Sequence, residues 1–177
     1  MTIENYTLDQ LQLKMADLIS RALQLSSNNV RIAFQHPGQP SPDRADDVVY
    51  ISMDFKGNQD IYKDRETIYD SPEDEFVETT KYFCRMSAQF KCYGPNCFEN
   101  ALRIKEKLFT ENVKWELGQL NLFLIPDAFT GPMYSRDYLN GHWVRIGNLG
   151  CEFYNARSSV ERIPSIKDIE IIYKEEN

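Results

Sequence analysis

Cys92, Cys97 and His142 are the residues whose types could carry nucleophilic chemistry in this 177-residue chain. A reactive cysteine needs its thiol held as thiolate, and a helix N-terminus favours that form through its dipole. Cys97 stands where Gly94-Pro95-Asn96 turns the chain into a helix, so it has the placement, with His142 as the base. Against this, His142 lies beyond a long excursion, and no nucleophile motif surrounds either cysteine. Cys92 falls on the apolar side of a strand pattern, where a thiol packs as a small hydrophobe. Simple packing therefore accounts best for both, and a small cysteine-dependent hydrolase stands only as an alternative.

Other chemistries have less to work with. The four cysteines, Cys84, Cys92, Cys97 and Cys151, form no CxxC pair, and His36 and His142 are far apart. Structural zinc sites use closely spaced ligand pairs, so no metal is expected. Asp70-Ser71-Pro72-Glu73-Asp74-Glu75 is rich in carboxylates but lacks calcium-loop spacing, and reads as a solvated acidic surface. Phosphate-cradling glycine loops are missing; Gly147-Asn148-Leu149-Gly150 sits inside a strand pattern and reads as a bulge or a close backbone approach. The formal net charge of −7 argues against tight nucleic-acid binding, which draws its affinity from clustered Lys and Arg. No apolar run reaches the roughly 18–20 residues of a membrane span. Met1 to Tyr6 does not resemble a leader, so synthesis in the cytoplasm is expected.

The elements that would position these residues follow from periodicity. Thr7 and Gln10 form a capping box. Leu8, Leu11, Met15, Leu18, Ile19 and Ala22 then make one apolar helical stripe that docks on a sheet. Val30–Phe34 and Val48–Phe55 alternate as strands, separated by a proline-rich turn at His36–Pro42. Residues 56–75 read as a long polar loop. Phe76–Tyr93 alternates strictly over 18 residues, far beyond the usual five or six, so this strand projects from its domain, bends at a bulge, or breaks near Thr79-Thr80-Lys81. A projecting pair of strands needs a partner to cover it, which makes self-association a physical expectation.

A second helix follows Gly94-Pro95, with Phe98, Ala101, Leu102, Lys105 and Leu108 inside, and Asn112–Leu117 adds a turn that Gly118 stops. Leu120, Leu122 and Leu124 form a strand, residues 127–141 a second excursion, Trp143–Asn155 a strand, and Asp168–Tyr173 a last one. The order predicts a single α+β domain over residues 1–177. Its sheet is mostly antiparallel, with the N-terminal and central helices packed on one face. The aromatic residues of the two excursions and the wet side of the long strand supply interface candidates: Tyr62, Tyr69, Lys81, Arg85, Gln89, Phe129, Met133, Tyr134 and Tyr138.

This order resembles the phage tail terminator and neck terminator family. The resemblance rests on the amphipathic N-terminal helix, Arg31-Ile32-Ala33-Phe34-Gln35 before the proline-rich turn, and Val49-Tyr50-Ile51-Ser52. It rests also on Ser87-Ala88-Gln89-Phe90-Lys91-Cys92-Tyr93-Gly94 before a helix with Ala101 and Leu102, and on Ile169-Glu170-Ile171 near the end. It spans most of the chain and lies in pattern and order, not in one short motif. The resemblance implies a structural virion protein without catalysis or cofactor: a ring, hexameric in this family, at the head-proximal end of the tail. The implied partners are further copies of the chain, the tail tube protein, the tail sheath, and head-completion or neck proteins. DNA would pass through the lumen without specific binding, and no membrane is involved. The alternatives within the virion are another neck, head-completion or baseplate subunit; outside it, a small adaptor that binds through its acidic loop.

Overall fold

The computed structural model describes residues 5–33, 45–57, 63–70, 75–139 and 141–164. The elements are α1 (Leu8–Leu23), a 3-10 turn (Ser27–Asn29), β1 (Val30–Ile32), β2 (Val48–Phe55), β3 (Lys63–Asp70), β4 (Glu75–Tyr93), α2 (Cys97–Leu108), α3 (Glu111–Gln119), β5 (Leu122–Leu124), β6 (Thr130–Leu139) and β7 (His142–Pro164). The strands form one sheet in the order β1-β2-β4-β7-β5, with β3 also paired to β4 and β6 to β7. Among the described strands only β1 and β2 run parallel. The fold is α+β.

The capping box forms as the residues predict: Thr7 N–H donates to Gln10 Oε1 (2.8 Å) and Gln10 N–H to Thr7 Oγ1 (3.3 Å). At the other end of α1, Gln24 is left-handed (φ 58°) and Leu25 N–H closes onto the Ser20 carbonyl (3.0 Å). Arg103 of α2 donates to the Leu23 carbonyl (3.0 Å) and so ties the two helices together. α1 buries Leu11, Met15, Leu18, Ile19 and Leu23.

Opposite them the central rows of the sheet are in step. Ile51 pairs with Phe90 and Phe90 with Leu149; Met53 pairs with Ala88 and Ala88 with Cys151. These rows, with Phe153, face the helices and enter one buried cluster with α1, α2 and α3. Burying an aromatic such as Phe90 or Phe153 contributes about 2–3 kcal/mol. The opposite face of the sheet carries no helix among the described residues.

Several expectations change. Residues 63–70, expected within a loop, form β3, paired to β4 from Lys63↔Tyr82 to Asp70↔Glu75. Most of the excursion at 127–141 is β6, folded back on β7 as a hairpin. Both are edge strands with exposed faces, so backbone pairing forms them without the apolar alternation that marks a half-buried strand. β4 begins at Glu75 and runs unbroken through residues 79–81; β7 continues nine residues past Asn155. The inner face of α2 is Cys97, Asn100, Ala101, Ile104 and Leu108, with Phe98, Leu102 and Lys105 half-buried on its flank. α3 continues through Gly118. Phe34, the proline-rich turn and the strand expected at 168–173 lie outside the described residues.

Gly147 is the close approach that the strand glycines suggested. An added Cβ would lie 2.7 Å from the Cys97 carbonyl carbon and nearer still to its oxygen, so α2 can start against β7 only over a glycine. Gly118 in α3 faces open space instead. Gly147→Ala should therefore lower stability by about 1–3 kcal/mol through overpacking. Gly118→Ala should raise it by about 0.5 kcal/mol through reduced chain entropy. Denaturant titration of the two variants reads both signs.

Candidate assembly surfaces

The cysteine chemistry does not assemble. Cys92 is buried directly across from Gly147, and burial, reinforced by Cys97 and Asp47, pushes its thiol up to about 12. Burial raises the Cys151 thiol as well, with Glu152 adding to it. Cys97 does start α2, but the Asp47 carboxylate already occupies that helix end, accepting from Asn96 N–H (2.9 Å) and Asn96 Nδ2 (2.8 Å). His142 is exposed at the start of β7, about 17 Å along the strand from Gly147 at ~3.3 Å per residue. Among the described residues no three His, Cys, Asp or Glu side chains gather as metal ligands. Residues 71–74 of the acidic run lie outside the description.

What the sheet does build is two projections on one strand. At 23 residues, β7 is about 75 Å long at ~3.3 Å per residue. Its middle lies in the core. Its C-terminal part pairs with the first half of β4, which pairs in turn with β3, so that Glu75↔Pro164 and Asp70↔Glu75 close a three-stranded arm. No described β4 residue before Met86 is buried, and on β7 none after Ala156. Near the arm's tip Tyr69 packs on Phe76 (ring centroids 5.2 Å), with Ile163 beside them in the same row. Ile68 and Val160 are exposed on the arm's other face.

The second projection is the β6–β7 hairpin, which runs on beyond the end of β4. Tyr138 and Trp143 meet edge to face across its tip (5.3 Å), and Trp143 is 69% exposed. Further in, Tyr134 stacks on Phe98 of α2 (4.5 Å), which fixes the hairpin to the helix layer. On the other face Tyr93 Oη donates to Asp137 Oδ2 (2.6 Å). That bond holds the Asp137 carboxyl below its ordinary range.

The expected interface residues therefore fall into three groups. Tyr69 lies on the arm, as does Lys81, whose ammonium is 3.9 Å from Glu66. Met133, Tyr134 and Tyr138 lie on the hairpin. Arg85 and Gln89 lie on the helix-free face, where Arg85 pairs with Glu152 (3.0 Å) and the Gln89 amide covers Gly150. Phe129 turns inward, stacked on Phe109 (5.2 Å) beneath Lys105. Tyr62 lies outside the described residues. Phe76, Ile163, Trp143 and the opposed pair Arg136 and Arg145 were not among the candidates. For Phe76 the signal was the alternation itself, which continues past the point where the core can cover it; the arginine pair had none, because it exists only in the register.

The Tyr93–Asp137 bond ties hairpin to core, and its effect depends on pH. A carboxyl with a depressed folded pKa contributes stability above its unfolded pKa and loses it as pH falls through the folded value. Tyr93→Phe should cost about 1 kcal/mol at neutral pH, at the low end because Asp137 is partly solvated. The difference from wild type should begin to close as pH falls below about 4 and vanish as it passes the lower wild-type value of the carboxyl. Thermal melts of the two proteins from pH 3 to 8 measure it.

Among curated proteins no match is found. A family model described as the phage neck terminator protein matches residues 9–177. That match takes in α1, the complete sheet and the two projections, and the chain belongs to the phage neck terminator family, structural proteins of the virion's tail and neck.

Proposed function

We propose that this protein forms a closed ring, a hexamer, at the head-proximal end of the tail, where it ends the tail tube and joins it to the neck and head. The observation that carries the reading is the pair of projections on β7, whose apolar side chains the chain's own core leaves in water. Exposed Trp, Tyr, Phe and Ile on a rigid ladder are typical of a surface that meets another protein. The two projections differ from each other, so a contact between them joins unlike surfaces. Such head-to-tail contacts close into a ring when the rotation per subunit completes a circle. β3 and β6 each keep one unpaired side among the described residues, which offers strand addition between neighbours or to a tube subunit.

A ring of this kind needs no catalytic group or cofactor. Its two rims would take different partners, the tail tube and sheath on one side and head-completion or neck proteins on the other. The formal net charge of −7 suits a lumen that lets DNA pass without gripping it. Electron microscopy and light scattering on the purified protein should find six-membered rings, and phage lacking the gene should make overlong or headless tails. A protein that stays monomeric at every concentration, with normal tails in its absence, contradicts the reading.

A further inference from the structure

Two opposed like-charge pairs stand at the two ends of β7. At the hairpin end Arg136 lies directly across from Arg145. At the arm end Glu78 lies directly across from Glu161. Like charges placed opposite one another in a ladder are destabilising. Neither arginine has a carboxylate partner among the described residues, and neither does Glu161 have a cation. Glu78 has Arg65 at 3.6 Å and accepts from Thr80 Oγ1 at 3.5 Å. Each pair sits one same-face row in from an exposed aromatic row, Tyr138–Trp143 at one end and Tyr69–Phe76 with Ile163 at the other.

Resting on the ring reading above, we infer that the Arg136–Arg145 pair of one subunit docks on the Glu78–Glu161 pair of the next. The occupant is a second copy because the matching charges are already on this chain and cannot meet within it. Arg145 and Glu161 are about 50 Å apart along one continuous strand, at ~3.3 Å per residue. The strand's right-handed twist also turns its face over such a length, so rows of the same parity at the two ends need not look the same way. When the tips overlap with the arginine row on the glutamate row, the aromatic rows find partners too. Trp143 then falls on Arg65, and Tyr69 and Phe76 reach the part of Tyr134 that Phe98 leaves exposed. Repulsion that costs each free subunit is relieved on contact, and two arm tips or two hairpin tips repel. The contact is therefore head-to-tail by charge as well as by shape.

Charge reversal tests this at both ends. R136E/R145E and E78R/E161R are prepared separately, their folding checked by circular dichroism, and assembly followed by sedimentation velocity at low ionic strength. Each variant alone should associate at least tenfold more weakly than wild type. An equimolar mixture should assemble again, because every hairpin then meets an arm of opposite sign. Wild-type assembly that neither reversal weakens overturns this contact and leaves the ring reading standing. Loss of assembly in both variants without recovery in the mixture overturns the pairing of the two ends. A wild-type protein that never associates overturns the ring reading together with this contact.

Discussion

The ladder between β4 and β7 is the constraint on which the remaining structure depends. It runs in unbroken antiparallel register from Glu75↔Pro164 to Cys92↔Gly147. Over its inner half, the rows through Ala88, Phe90 and Met86 meet β2 on one side and the helices above, and burial dominates the energetics. Beyond Met86, towards Glu75, no described side chain of β4 is buried. The arm there is held by backbone pairing and by cross-strand contacts worth roughly 0.2–1 kcal/mol each. At the opposite end β7 runs past β4 and holds β6 instead, anchored by Tyr134 on Phe98 and by Tyr93 on Asp137. One strand thus passes from a lightly held arm through a rigid core to a hairpin.

That division explains which parts of the fold were legible in the sequence. α1 was, down to its capping box, because the helix stripe and its cap are local. β2 was, because Val49, Ile51 and Met53 alternate against the core. The length of β4 was legible, with projection, a bulge or a break all open; the strand is unbroken. β3 and β6 were not: none of their described side chains is buried, so neither has an apolar period to display. Gly131-Pro132 near the start of β6 also carries the residues of a turn. The inner face of α2 was only partly read, since Ile104 and Leu102 are both apolar and the sequence does not say which of them faces inward. The opposed charges across β4, β6 and β7 could not be read at all, because they exist only once the register is known.

The same register separates Cys92 from His142. Period-two alternation places Cys92 under the helices, where an ionised thiol is costly, and places His142 in the solvent at a hairpin tip. The residues that stand out on the finished structure are large, exposed and paired across strands. Those are properties of surfaces that assemble, in keeping with membership of a structural family of the phage neck.

The most direct measurement is an electron cryo-microscopy map of the assembled protein at a resolution that traces strands. The account predicts that both ends of β7 are covered by neighbouring subunits, with Trp143 and Phe76 out of solvent. A map in which subunits meet only through their helices, leaving the arm and the hairpin free in water, would contradict it.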